Sequence, residues 1–148
     1  MTLAELEDTL PNGFHDAMIY ALSVDYKDQT VALDVDLSFA GPDDPPDVPD
    51  YRRAVIKVSG LKILVIDPPN PGPLYGVLDG DELFTKGFVT EADEYWKKRL
   101  DPKLIEAAGA DAPLYSFFVH GWNSCIHIAA TDAVCNWKNE STTSTTVH

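Results

Sequence analysis

Residues 18–39 read MIYALSVDYKDQTVALDVDLSF. Met18, Tyr20, Leu22 and Val24 alternate with Ile19, Ala21, Ser23 and Asp25. After Lys27-Asp28, the series Val31, Leu33, Val35, Leu37 and Phe39 alternates with Ala32, Asp34, Asp36 and Ser38. A period of two over this length marks half-buried strands. A turn at Lys27-Asp28 pairs Val24 with Val31, Leu22 with Leu33 and Tyr20 with Val35, so both apolar sets share one face. A one-residue slip would send them to opposite faces, which specifies the register strongly.

Upstream, Thr2 and Glu5 have the spacing of a capping box, and Leu3, Leu6 and Leu10 share one helical face. The reading predicts a short helix stopped by Pro11-Asn12-Gly13. Downstream, residues 41–50 (GPDDPPDVPD) form an extended surface loop, since proline cannot feed a central ladder. Residues 51–67 are one strand or two. Ala54, Ile56 and Val58 hold one parity and Leu61, Ile63 and Val65 the other, so a bulge is expected at Ser59-Gly60. Asp79-Gly80 is a hairpin dipeptide, and Thr90 with Asp93 is read as a short helix start. Asp101-Pro102 is a stronger one, with a cap and then proline at the first helical position, ending at Gly109. Residues 114–120 and 125–130 are strands around Gly121-Trp122-Asn123-Ser124, and residues 133–137 extend the second or begin a third. Residues 140–148 (ESTTSTTVH) lack core residues and read as a disordered tail.

The fold class is mainly β (α+β). A single domain over residues 1–139 is expected, a curved or partly closed antiparallel meander of about six or seven strands with two or three short helices. Successive strands with tight turns argue against strand–helix alternation, and the N-terminal helix is expected to cover an edge or an open end.

The 148 residues carry a formal charge of −13, unevenly spread. Residues 1–50 hold twelve acids and one base, Lys27; residues 51–148 hold twelve acids and ten bases. Such a field repels phosphate backbones and attracts basic partners. Nucleic acid is therefore disfavoured. No apolar run approaches the ~20 residues of a membrane-spanning helix. The opening MTLAELEDTL has no basic region followed by an apolar block, so a cytoplasmic protein is expected. Cys125 and Cys135 lack zinc-type spacing and read as free thiols, joined only if two strands bring their Cα atoms within about 7 Å.

Four places carry chemistry. His15 beside Asp16 is a metal-ligand pair or a turn-fixing pair. His120 and His127 become direct cross-strand neighbours if the hairpin turns at Asn123-Ser124. They then lie on its outer face with Phe118 and Cys125, while Phe117, Val119, Ile126 and Ile128 point inward. His15, Asp16, His120 and His127 are thus the candidate metal ligands. The simpler reading of the two histidines is a polar outer face, because two imidazoles do not complete a zinc site. Trp122 is a candidate interface anchor. Asp34, Asp36, Asp43 and Asp44 belong to an acidic set suited to a basic partner. No nucleophile elbow, phosphate loop or dinucleotide fingerprint occurs.

Two segments, LPNGFHDAMIYALSVDYKDQTVALDVDL at residues 10–37 and LYSFFVHGWNSCIHIAATDAVCNW at residues 114–137, cover about a third of the chain. They resemble small uncharacterised bacterial β-rich proteins with an HDA motif before a hairpin, themselves loosely similar to the immunity proteins of bacterial toxin systems. The resemblance implies an acidic cytoplasmic binder and brings no catalytic residue. The leading expectation is therefore a non-enzymatic binding protein, without cofactor, that recognises a protein partner of basic character. The alternatives are a metal-dependent hydrolase using the four candidate ligands, and a homo-oligomeric structural subunit.

Overall fold

Thr2 accepts a hydrogen bond from the Glu5 backbone N–H and the Glu5 carboxylate accepts one from the Thr2 N–H, closing the expected capping box at the start of α1, Leu3–Thr9. The computed structural model describes residues 1–15, 17–39, 51–69, 87–91, 100–119, 122 and 124–138. Within these follow β1 (Met18–Asp25), β2 (Thr30–Ser38), β3 (Tyr51–Ile66), β4 (Gly87–Glu91), α2 (Pro102–Ala108), β5 (Leu114–Val119) and β6 (Ser124–Trp137). The six strands form one antiparallel sheet in the order β1-β2-β3-β6-β5-β4. Two three-stranded meanders thus join along their long last strands, β3 and β6. The sheet curls into a half-barrel, and its edge strands β1 and β4 approach within 8 Å, Cα to Cα.

The β1–β2 hairpin has the pairs its alternation predicts, Val24 with Val31 and Leu22 with Leu33. Asp25 Oδ1 accepts from the Asp28 N–H at 3.0 Å across the turn. Tyr20 departs from expectation. A bulge pairs Ile19 with Val35 and Ala21 with Asp34, leaving Tyr20 as the extra residue. Ile19 is thereby buried, while the Tyr20 hydroxyl donates to Asp36 Oδ2 at 2.7 Å on the outer face. The bulge gives the purely apolar side chain to the core and the polar tip a partner.

In β3 the register shifts between Leu61 and Ile63, just beyond the expected Ser59-Gly60. Leu61 and Leu64 pack on the main core, whereas Ile63 is buried in a second cluster. Gly60 sits at φ 62°, and a Cβ there would run into Thr131 Oγ1 and lie 3.1 Å from Thr131 Cβ. Gly60→Ala is expected to destabilise by about 2 kcal/mol, from left-handed backbone and that collision together. Adding Thr131→Ala should recover only the collision part. Urea midpoints measure both, and a loss under ~0.5 kcal/mol, the scale of ordinary surface changes, would contradict the bend.

The main core lies inside the curl. It joins Leu3 and Leu6 of α1, Phe14, and the inner residues of β1, β2, β3, β5 and β6. The second cluster lies on the other side of the sheet, where α2 covers Ile63, Leu114 and Ala129 through Ala108 and Ile105. Asp101 caps α2 by accepting from the Lys103 N–H, and Gly109 follows it with φ 79°. The two clusters bury the sheet on both faces around Leu114 and Ala129, and β5 and the first half of β6 are buried without alternation.

Thr90 lies in β4, and Asp93 with the short helix expected there lies outside the described residues. The Asp79-Gly80 hairpin, residues 41–50 and residues 140–148 lie outside the described residues. Cys125 and Cys135 are free thiols ten residues apart on one strand, a span of roughly 33 Å that no disulfide bridges. Among the described residues no helix is long and apolar enough to cross a membrane.

Candidate functional site

The β5–β6 hairpin has the expected parity but another register. Val119 pairs with Ser124, Phe117 with Ile126 and Ser116 with His127, so the partner of His127 is Ser116 and not His120. The connection spans residues 120–123 instead of a two-residue turn. A tight turn favours positive φ at both central positions, for which Asn-Ser lacks the usual glycine. Cys125 accordingly pairs with Phe118. The histidine face is the outer face of the curl, as expected, but it is covered: His127 and Cys125 are each 1% exposed.

This register assembles a polar cluster within an apolar surround. Ser116, His127 and Val65 are lateral neighbours on β5, β6 and β3. One step beyond the end of β3, the Asp67 N–H donates to the Cys125 carbonyl at 3.0 Å, which carries the pairing on to Asp67 opposite Cys125. Side chains two apart on a strand share a face, so Asp67, Cys125 and His127 converge. His127 Nδ1 lies 2.7 Å from Ser116 Oγ, and Nε2 lies 3.1 Å from Asp67 Oδ2. Ser116 is buried, while the Asp67 side chain is 31% exposed and connects the cluster to solvent.

At the end of the curl a groove of about 340 Å³ separates β1 from the ends of β3, β5 and β6. Ile19–Leu22 form one wall, and Ile66, Val119, Trp122 and Ile126 contribute to the others. Three of its residues are large, hydrophobic and well exposed: Tyr20 at 38%, Ile66 at 45% and Trp122 at 53%.

Asp34 and Asp36 lie on the outside of β2, already engaged. Arg53 donates twice to Asp34, from Nε at 3.0 Å and from a terminal nitrogen at 3.1 Å, and Lys138 Nζ is 3.2 Å away. The Arg53 guanidinium lies over the Tyr20 ring at 3.8 Å. Burial, then the Asp36 hydrogen bond, pushes the Tyr20 hydroxyl up to about 12, so it remains a neutral donor. The Arg53 hydrogen bonds, aided by Lys138, hold Asp34 below the usual carboxylate range. Its folded pKa is thus below its unfolded one. The stabilisation is complete above about pH 4 and drains away as pH falls through the folded value. Asp34→Asn should therefore flatten the acid limb of a stability–pH curve below that pH while lowering stability at neutrality.

His15 is exposed in the turn after α1 and is not in the Asp67–Cys125–His127 group. Asp16, His120, Asp43 and Asp44 lie outside the described residues. Of the sequence candidates, His127 sits in the polar cluster and Trp122 on the groove. Asp67, Ser116 and Cys125 carry no local signal that marks them as partners of His127, since only the β3–β6 and β5–β6 registers bring them together. The chain matches no family model, and no curated protein or solved structure is significantly similar to it.

Proposed function

We propose that this chain is a non-enzymatic binding protein whose groove at the open end of the half-barrel takes an apolar segment of a protein partner flanked by basic residues. The observation that carries this reading is the convergence of exposed Tyr20, Ile66 and Trp122 on one groove. Aromatic anchors gathered at a concave apolar surface are what binding hot spots consist of. The charge supports a basic flank: the β1 wall belongs to the first fifty residues, with their twelve acids and one base. The likeness of residues 10–37 and 114–137 to small bacterial immunity-type proteins points the same way. A cytoplasmic location would accompany that role.

Selection of displayed peptides on the intact protein tests the reading. Enriched peptides should combine an aromatic or branched apolar centre with Lys or Arg on either side. Trp122→Ala should weaken the best of them about 30-fold, the scale of one hot-spot residue, and added salt should weaken them further. Peptides that bind Trp122→Ala as well as the parent would overturn the proposal. So would light scattering that shows a stable dimer broken by the same substitution, which would assign the groove to a second copy.

A further inference from the structure

We propose that Asp67, Cys125 and His127 form a binding site for a divalent cation of borderline softness, Zn²⁺ foremost. Their ligand atoms all lie within 4.8 Å of one another, and among the described residues they are the group of His, Cys and acid side chains so placed. The sheet itself sets this spacing: Asp67 is held opposite Cys125 by a backbone hydrogen bond, and His127 follows two residues on, on the same face. Around tetrahedral zinc, with bonds of about 2.0–2.3 Å, ligand atoms stand roughly 3.3–3.7 Å apart. The 3.1 Å between His127 Nε2 and Asp67 Oδ2 is close to that separation. Side-chain rotation alone would accommodate the ion.

The surroundings suit a metal in three further respects. Ser116 Oγ, 2.7 Å from Nδ1, can accept a hydrogen bond from an Nδ1–H once a cation takes the Nε2 lone pair. Metal-bound imidazoles are ordinarily held by such an oxygen on the other ring nitrogen. Second, charge balances: one thiolate and one carboxylate neutralise a doubly charged cation, as burial requires. On binding, Cys125 releases its thiol proton to solvent, and His127 ligates as a neutral imidazole through Nε2 with its proton on Nδ1. Third, the donor set selects the ion. Sulfur and imidazole favour zinc and its neighbours over calcium or magnesium, which take oxygen. Asp67, being partly exposed, supplies the entry. Three protein ligands leave a fourth position for water or a small ligand.

The test is titration of chelator-treated, full-length protein with Co²⁺, followed by Zn²⁺. One equivalent of Co²⁺ should bind, with a thiolate-to-cobalt charge-transfer band and tetrahedral d–d absorption, and Zn²⁺ should displace it. Cys125→Ser should abolish the charge-transfer band. Cys135→Ser should leave it intact, because that residue lies far along β6. Asp67→Asn, at a partly exposed position where the metal-free fold should persist, should weaken binding by more than about tenfold. At equal concentration Zn²⁺ should raise the melting temperature of the parent more than that of Asp67→Asn. Absence of stoichiometric Co²⁺ binding, or a charge-transfer band that survives Cys125→Ser, overturns the assignment. Either result would make the cluster an internal hydrogen-bond network and leave the groove reading untouched.

Discussion

Phe14→Ala is expected to lower the unfolding free energy by about 3–5 kcal/mol, the range for removing a fully buried aromatic ring. The ring is 0% exposed and lies 5.9 Å, edge to face, from Tyr115 and 6.2 Å from Phe117. It belongs to no helix or strand. Gly13 at φ 54° turns the chain so that Phe14 enters the curl from the turn after α1. Glu7 ties the same parts together, accepting from the Tyr115 hydroxyl at 2.9 Å and from the Phe14 N–H at 3.4 Å. Loss of the ring should therefore also loosen α1, which at seven residues is too short to persist without tertiary packing. Urea denaturation should show a lower midpoint, with amide exchange in α1 accelerated beyond the global change. His15→Ala beside it should fall within about 0.5 kcal/mol, as exposed positions do. A Phe14→Ala loss below 1 kcal/mol would show that the ring does not fill the core.

His127→Ala should destabilise the metal-free protein by about 3 kcal/mol. A polar outer-face position would lose only ~1 kcal/mol. The larger figure follows from the burial of the imidazole and from the contacts at both of its nitrogens. The truncation opens a cavity and strips Ser116, itself 1% exposed, of its imidazole contact; an unsatisfied buried hydroxyl costs about 1–3 kcal/mol. A cycle with Ser116→Ala separates the two effects. Removing both partners should cost less than the sum of the single losses, by at least ~0.5 kcal/mol, as for groups in one network. Strict additivity would mean that the two side chains do not act together, and that the loss at 127 is packing alone.

In the GFHDA stretch burial adds what residue chemistry alone does not contain. Its histidine and aspartate draw attention as ligands, yet in the structure Phe14 is the member that joins the core and His15 faces solvent. The acidic residues of β2 behave similarly. Asp34 and Asp36 read as a face offered to a partner, but Arg53 and Tyr20 come from neighbouring strands to engage them. For Asp34 and Asp36 the missing information was the identity of the lateral neighbour.

Local chemistry was enough for the elements and their ends. Thr2 and Glu5 cap α1, Asp101 and Pro102 start α2, and the period-two run sets the β1–β2 pairing from Val31 to Leu33. Parity survives even where register does not: Phe117 and Ile126 share the inner face in either alignment of β5 on β6. These features depend on neighbours a few residues apart, whose geometry a sequence contains directly. Only the tertiary structure decided that β6 lies between β3 and β5, that α2 covers the far side of that join, and that Ser116 stands opposite His127. Several alignments of the same strands keep apolar residues inward. The alignment that is adopted joins Ser116 to His127 across a hairpin and Asp67 to His127 over sixty positions, and so brings the polar cluster together.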